Sequence, residues 1–407
     1  MPFSNSAQFT RVYLDHNATT PISDRVRSRV PEWIEHWGNP SSIHQAGRSP
    51  KTLMREARAK IAKFLGANPL ELVFTSGGTE ANNLALKGVF ETQASRGSEK
   101  RNRYLISSVE HPSIKRTAEY LESRGAEVVV IPVNRRGEID LAAYDAALNE
   151  DTALVSIMLA NNETGNVFPI KELAARAHAK GALFHSDCVQ ALGKLELNLT
   201  DLGVDLATFS GHKFYSLKGA GILYTRRGVQ LESLIHGGGQ ERHRRGGTEN
   251  TLAIAALASM CELKDDVARH AETMRELRDH LEKRIFSEIT HVRVTGADSP
   301  RVPNTSSLIV PGVDGEILLM NLDLKGFAVS TGAACSSGSP EPSPVLLAMG
   351  LSRREAQSSL RVGLGWSTTR EEVDRFVDTL VGVVSHLRSI MPNDVKSGQF
   401  KGEPCEV

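Results

Sequence analysis

Short apolar runs alternate with amphipathic stretches between about residues 50 and 260. Residues 51–65 carry apolar side chains at helical spacing, with a glycine just past the end, which predicts a helix. The apolar runs predict buried strands at 71–75, 104–107, 127–133, 154–159, 183–186, 206–209 and 221–224. Strands that alternate with helices favour an α/β fold with a mainly parallel sheet covered on both faces.

The pattern changes after about residue 260. A helical pattern over 261–286 leads to strand-like runs at 292–294 and 307–310, a helix at 315–322 and a strand at 328–330. This order predicts a smaller α+β domain. We therefore expect a large domain over 23–262 and a small domain built from 1–22 and 263–392. The polar, Gly/Pro-containing tail over 393–407 is expected to be mobile.

Charge and hydropathy exclude several function classes. The 407 residues contain 48 basic and 48 acidic side chains, so overall charge does not favour nucleic acid or an anionic membrane as a partner. The first residues lack the basic segment and apolar core of a secretory signal. No apolar run approaches the roughly 20 residues that span a bilayer. These features predict a cytoplasmic protein with no membrane or direct nucleic-acid partner.

Four scattered cysteines favour free thiols over a disulfide framework or a structural zinc site, so we expect no metal. Cys335 lies among small residues over 330–340, between a predicted strand and a helix. That setting suits an exposed, reactive thiol more than core packing. Cys261 falls in a helical pattern and Cys405 lies in the tail. Cys188 directly follows Asp187 and could touch the site, but we interpret it as a small buried residue that fills space.

A lysine and an acid follow two separate predicted strands. Lys213 lies in Ser-Gly-His-Lys after the strand at 206–209, and Asp187 ends the strand at 183–186. Pyridoxal 5′-phosphate (PLP) enzymes need such a pair. The lysine amine holds the cofactor aldehyde as a Schiff base, and the acid keeps the pyridine nitrogen protonated.

Three further motifs follow strands at the same predicted edge. The turn Ser-Gly-Gly-Thr-Glu, which contains Gly78 and Thr79, opens a helix and suits a phosphate, although an ordinary capped turn has the same pattern. His111 could stack on a cofactor ring or be a simple loop residue. Asn162 follows the strand at 154–159. Open α/β sheets bind ligands at this edge, so we expect these residues to lie close to Asp187 and Lys213.

Gln190 and Arg361 are candidates for contacts with the cofactor and the substrate. Gln190, three residues after Asp187, could donate a hydrogen bond to the cofactor's phenolic oxygen. Arg361 could bind a substrate carboxylate in bidentate fashion, or form an ordinary ion pair. The Gly- and Arg-rich loop over 237–250 could meet a phosphate or a neighbouring subunit, or simply be a flexible surface loop.

Taken together, these motifs resemble the cysteine desulfurases and the related selenocysteine lyases, PLP enzymes of aminotransferase class V with the aspartate-aminotransferase fold (fold type I). The resemblance runs from Tyr13 to about Leu387. Its motifs occur in the family's order: Leu-Asp-His-Asn-Ala-Thr-Thr-Pro, Gly-Asn-Pro-Ser-Ser, Gly-Gly-Thr-Glu, Asn-Asn-Glu-Thr-Gly, Ser-Gly-His-Lys and Gly-Thr-Glu-Asn.

The resemblance implies a role for each matching residue. Lys213 would bind the cofactor and move protons, Asp187 would pair with the pyridinium, Gln190 with the phenolate, and His111 would stack on the ring and assist proton transfer. Cys335 would take sulfur from L-cysteine as a persulfide. The remaining implied contacts are Gly78, Thr79, Ser210 and His212 at the phosphate, Thr248 from the partner subunit of a homodimer, Asn162 at cofactor and substrate, and Arg361 at the substrate carboxylate.

The sequence therefore predicts a cysteine desulfurase that donates sulfur to acceptor or iron–sulfur scaffold proteins, for cluster assembly or thio-modification. Selenocysteine lyase is the nearest alternative, since residues 341–347 and 365–369 resemble that relative as well. A non-catalytic sulfur carrier and a plain aminotransferase are weaker alternatives. His16, Cys188 and Leu217 depart from the family's usual residues, and we expect them to tune the pocket without removing a catalytic group.

Overall fold

The structure is a computed structural model that describes residues 11–97, 100–332 and 341–390. Cys335 and the tail over 393–407 lie outside these residues, so the predictions made for them remain predictions. In the described ranges, no helix is both long and apolar enough to cross a membrane.

The strands are short and mostly buried. In chain order they are β1 (Val12–Tyr13), β2 (Leu72–Thr75), β3 (Arg103–Ser107), β4 (Glu127–Ile131), β5 (Thr152–Ser156), β6 (Leu183–Asp187), β7 (Leu206–Ser210), β8 (Gly221–Thr225), β9 (Arg293–Val294), β10 (Thr305–Ile309), β11 (Phe327–Ala328) and β12 (Ser359–Gly363).

Helices separate most of these strands. They are α1 (Asp24–Ile34), α2 (Gln45–Leu65), α3 (Gly78–Ala94), α4 (Pro112–Ser123), α5 (Leu141–Ala147), α6 (Ile170–Ala179), α7 (Leu199–Leu202), α8 (Thr251–Cys261), α9 (Lys264–Glu288), α10 (Gly315–Leu324), α11 (Pro344–Ala348), α12 (Arg353–Gln357) and α13 (Arg370–Ile390).

A seven-stranded sheet with the order β2-β8-β7-β6-β5-β3-β4 organises the larger part of the chain. Strand β8 runs antiparallel to both neighbours, and the pairings among β7, β6, β5, β3 and β4 are parallel. The carboxyl ends of β2, β3, β5, β6 and β7 therefore meet at one edge of the sheet. The predicted α/β class, with all seven strands of this sheet, is confirmed.

Several predicted boundaries differ from those of the structure by a few residues. The strand predicted at 154–159 ends at Ser156, because residues 157–159 still bond β6 but no longer pair with β3. The helix predicted over 261–286 corresponds to α9, which starts at Lys264, whereas Cys261 is the last residue of the preceding helix α8. Helix α8 is buried along nearly its whole length, whereas α9 starts anew with two acidic residues in its first turn. A change from all-round apolar to amphipathic character marks this break.

A second, smaller core forms around β10 and β12. The antiparallel sheet β12-β10-β9 packs with α9, α10 and α13, and Val12 and Leu14 near the start of the chain join the same hydrophobic cluster. Strand β1 pairs in parallel with β11, which ties this N-terminal segment to the C-terminal part. The segment then leads across the sheet edge where the candidate side chains lie.

Candidate active site

Lys213 lies directly after β7, in a single 3-10 turn over Gly211–Lys213. Its Nζ donates to the backbone carbonyls of Asn17 at 2.5 Å and Ala18 at 2.6 Å. An amine that is held by carbonyl oxygens from another segment has a fixed position. The N-terminal segment therefore forms one wall around this lysine.

Asp187 ends β6, the strand next to β7. Its Oδ1 accepts a hydrogen bond from the backbone N–H of Val189 at 3.0 Å, and its Oδ2 accepts one from Asn82 Nδ2 at 2.8 Å. The carboxylate is 5% exposed and held at both oxygens, so its direction is set before any ligand binds.

His111 is the N-cap of α4, and its ring nitrogen Nδ1 accepts from the backbone N–H of Ser113 at 3.1 Å. A backbone N–H can only donate, so the neutral ring carries its proton on Nε2. Burial lowers the pKa of His111, while the charge of Asp187 acts to raise it and the charge of Lys213 to lower it. These interactions bring the three predicted residues into one site.

The Gly-Gly-Thr-Glu turn opens α3 with an N-cap, Gly77, that has no side-chain cap. The first N–H groups of the helix therefore remain available to an anion, aided by the helix dipole. A Cβ on Gly78 would approach Val189 Cγ2 to 3.0 Å and Ser210 Cβ to 3.5 Å, so this turn lies against the end of β7. The exposed Thr79 lines an open cleft of about 430 Å³ together with His111.

Gln190 lies beside Asn17 and Lys194. Its Nε2 donates to the Asn17 carbonyl at 2.9 Å, and its Oε1 accepts from Lys194 Nζ at 2.6 Å. Because a backbone carbonyl can only accept, the contact with Asn17 fixes which end of the amide is Nε2. Burial lowers the pKa of Lys194 well below its ordinary value, helped by the charges of Lys213 and Arg361.

Sequence reasoning missed both Asn17 and Lys194. Asn17 lies inside the Asp-His-Asn-Ala-Thr-Thr motif, and Lys194 is a lysine after the otherwise apolar run Ala191-Leu192-Gly193. A charged residue that closes such a run is a usable indication, but only the fold shows that it points towards Gln190.

Arg361 and Asn162 do meet in the structure. Arg361 is 3% exposed, and it donates through Nη1 to the Asn162 carbonyl at 3.0 Å and through Nη2 to Asp15 Oδ1 at 2.8 Å. Its Nε is buried and has no partner among the described residues. A guanidinium with one unused buried donor is equipped to bind a further acceptor, such as a carboxylate.

Two buried carboxyl groups that the sequence did not indicate flank the site. Burial raises the pKa of Glu110 to about 8 and that of Glu163 to about 7. Glu110 Oε1 accepts from the backbone N–H of Met158 at 2.9 Å, and the hydroxyl of Ser343 donates to Glu163. Their motif positions, next to His111 and Asn162, were visible in the sequence, whereas their burial was not.

The Gly- and Arg-rich loop covers the outer edge of β2. Glu241 accepts from the backbone N–H of Phe74 at 2.9 Å and pairs with Arg58, and Arg245 forms a two-point ion pair with Glu80. This loop is therefore anchored, contrary to the flexible alternative. Thr248 is exposed on it, and the described contacts do not bring this residue to the other phosphate candidates.

The three residues that depart from the family pattern are buried or packed in the structure. His16 is buried against Gly365, and burial together with the Lys194 charge lowers its pKa to about 4. Cys188 is fully buried, and burial raises the pKa of its thiol. Leu217 packs at the margin of the large hydrophobic cluster.

These residues fit PLP. The buried acid Asp187 suits a pyridinium, the amine of Lys213 suits an aldehyde, and the uncapped N-terminus of α3 beside Ser210 suits a phosphate. His212 lies on the same turn as Lys213, and its Nδ1 is 3.1 Å from Thr19 Oγ1. The donor set matches each functional group of the cofactor.

Comparison with known proteins agrees with this geometry. Residues 12–376 match the family model "Aminotransferase class-V", so the chain belongs to this family. Among curated proteins, it is 43% identical to "Cysteine desulfurase IscS" of Dictyoglomus turgidum, over 94% of this chain and 96% of that protein. The resemblance read from the motifs is therefore confirmed, and with it a PLP-dependent enzyme of fold type I.

Solved structures give the same result. A "NIFS-LIKE PROTEIN" superposes with a TM-score of 0.86 at 37% identity, covering 93% of this chain and all of that one (100%). A structure described as "SspA in complex with cysteine" superposes with a TM-score of 0.76 at 32% identity, covering 87% of this chain and 99% of that one.

Proposed function

We propose that this enzyme converts L-cysteine to L-alanine and transfers the sulfur to Cys335 as a persulfide. The observation that carries the proposal is that Lys213, Asp187 and His111 all follow strands at the same edge of the sheet, where the charges of Lys213 and Asp187 act on the pKa of His111. Family membership and the cysteine complex of a structural relative support the choice of substrate.

In this proposal Lys213 is the covalent anchor of PLP, Asp187 pairs with its ring nitrogen, and Gln190 faces its phenolic oxygen. The N–H groups at the start of α3, with Gly78, Thr79, Ser210 and His212, hold the phosphate. When bound, PLP supplies an electron sink for a carbanion at the substrate's α-carbon. The protein's own task is then to orient the substrate and to move protons.

Arg361 holds the substrate carboxylate through its unused donor, and Asn162 beside it helps to orient the amino acid. The neutral His111 presents its Nε2–H towards the site, where it stacks and assists proton transfer. The lowered pKa of His111 favours this neutral form.

Sulfur transfer requires a thiolate. The sulfur of Cys335 attacks the sulfur of L-cysteine, an S–S bond forms, and the substrate C–S bond breaks with its electron pair left on carbon. That carbon takes up a proton and becomes the methyl group of L-alanine. Burial raises the pKa values of Cys188 and Cys261, which makes both thiols unsuitable nucleophiles.

The persulfide would then pass to sulfur acceptors or iron–sulfur scaffold proteins in the reducing cytoplasm. We also propose a homodimer, in which Thr248 of each chain reaches the phosphate of the other. The exposed position of Thr248 and the nearly full exposure of Trp37 (81%) and Ile43 (94%) support a second copy. Mixing Lys213→Ala with Thr248→Ala chains tests this arrangement, because mixed dimers would contain one intact site and regain activity.

The activity is tested by incubating the PLP-loaded enzyme with L-cysteine and measuring alanine without an amino acceptor. Wild type should form alanine, and Cys335→Ala should not. Alanine formation by Cys335→Ala at the wild-type rate would overturn the persulfide step. A wild-type enzyme that turns over L-selenocysteine but not L-cysteine would instead identify a selenocysteine lyase.

A further inference from the structure

Asn82 lies on α3, between Asp187 at the end of β6 and Ser113 in α4. It is 1% exposed, and its two amide hydrogens go to different partners. Nδ2 donates to Asp187 Oδ2 at 2.8 Å and to Ser113 Oγ at 2.8 Å. The ionised carboxylate can only accept, so the amide nitrogen must face Asp187.

The second branch continues to His111. Ser113 Oγ lies 2.8 Å from His111 Nδ1, and the backbone N–H of Ser113 donates to the same nitrogen. Since Nδ1 is an acceptor, the serine hydroxyl hydrogen points at it, and the lone pairs of Ser113 Oγ are left for Asn82. The result is an unbroken hydrogen-bonded chain from Asp187 through Asn82 and Ser113 to His111.

We propose that Asn82 is a positioning residue that holds the Asp187 carboxylate in line with the cofactor's ring nitrogen and, through Ser113, holds His111 as the Nε2–H tautomer. This inference rests on the proposed function for the place of the cofactor. The side chain of Asn82 would thus position both Asp187, at the ring nitrogen, and His111, which stacks on the ring.

The burial of Asn82 has a desolvation cost. Asn82 Oδ1 is buried and has no partner among the described residues, so the amide is held by its donor side alone. An asparagine at a helix position normally avoids such desolvation. The charges that act on His111 come from Asp187 and Lys213, so a change at Asn82 acts on the ring through Asp187 as well as through Ser113.

Asn82→Leu keeps the side-chain volume and removes both hydrogen bonds. Without its donor, Asp187 becomes a stronger base, and the proton shared with the ring nitrogen moves towards the carboxylate. We expect the pH midpoint of the cofactor's visible absorbance to rise by about one unit and the PLP dissociation constant to rise about tenfold, as for the loss of a hydrogen bond to a charged group. Asn82→Ala is the second variant if the leucine does not fold.

Ser113→Ala separates the two branches. It keeps the bond from Asn82 to Asp187, so the absorbance midpoint and PLP affinity should stay near those of wild type. It removes one donor to His111 Nδ1, so the acidic limb of the kcat pH profile should move to higher pH. Gln93→Leu is the matched control, a buried amide on the same helix that bonds the backbone of Arg101.

The absorbance titrations and PLP affinities of the holoenzymes test the positioning role of Asn82. A raised midpoint in the Asn82 variants, with Gln93→Leu at the wild-type value, supports the positioning role. Wild-type midpoint and PLP affinity in the Asn82 variants, or equal shifts in Gln93→Leu, would overturn it while leaving the proposed function intact. A wild-type protein that gains no visible band with PLP would overturn both.

Discussion

Arg361 Nη2 lies 2.8 Å from Asp15 Oδ1, so the arginine that we assign to the substrate carboxylate is already oriented by an acid from the N-terminal segment. Residues 346 positions apart in the chain thus form one substrate-binding unit. This pairing explains why the N-terminal segment and β12 must both be in place before the site is complete.

Arg361→Lys should raise KM for L-cysteine about tenfold or more, because a lysine ammonium cannot replace the guanidinium's contacts with Asp15, Asn162 and the carboxylate together. Steady-state alanine formation measures this change. Arg301→Lys is the control, since Arg301 forms a similarly buried ion pair with Glu282 in the smaller core. An unchanged KM in Arg361→Lys would remove Arg361 from the substrate site.

Lys194→Met should weaken PLP binding about tenfold, since the buried amide oxygen of Gln190 loses its hydrogen-bond donor. Titration of the apoenzyme with PLP, followed by visible absorbance, gives the dissociation constant. The exposed Lys180→Met serves as the control for loss of a positive charge. Equal affinities in Lys194→Met and wild type would show that Gln190 does not depend on Lys194.

Glu110 predicts a pH-dependent stability. Its pKa of about 8 in the folded protein lies above the ordinary 4.5, so the folded chain binds more protons between these two pH values. The free energy of unfolding should therefore fall as pH rises through this window, by roughly 5 kcal/mol in total. Glu110→Gln, which mimics the protonated form, should flatten the decline in urea unfolding of the PLP-saturated enzyme.

Glu355→Gln provides the opposite case. Burial opposes the charge of Glu355, yet hydrogen bonds from Arg293 and Ser352 lower its pKa overall. Its contribution to stability is therefore present at neutral pH and lost as pH falls through the lowered pKa. If Glu110→Gln keeps the full wild-type decline between pH 4.5 and about 8, Glu110 is not the group responsible.

The sequence predicted the sheet and the residues at its edge well, for a physical reason. Buried strands such as β6 and β7 begin with apolar residues and end in a polar residue, and the edge of a parallel sheet collects those ends. Asp187 and Lys213 could therefore be placed beside each other without coordinates. The family resemblance then supplied their proposed roles.

The supporting residues could not be predicted in the same way. Asn82 and Lys194 look like ordinary polar positions in the sequence, and their importance comes from which atoms they face across the fold. Helix α8 was not predicted either, because it is apolar nearly all round and lacks the spacing of an amphipathic helix. Contacts between distant segments decide these features.

The central claim is that Cys335 receives the sulfur of L-cysteine. Mass spectrometry of the holoenzyme after incubation with L-cysteine, without reductant, tests it most directly. The account predicts a mass increase of one sulfur atom on the Cys335 peptide and none on the buried Cys188 and Cys261 peptides. Alanine production with an unmodified Cys335 peptide, or with the extra sulfur on Cys188, would contradict it.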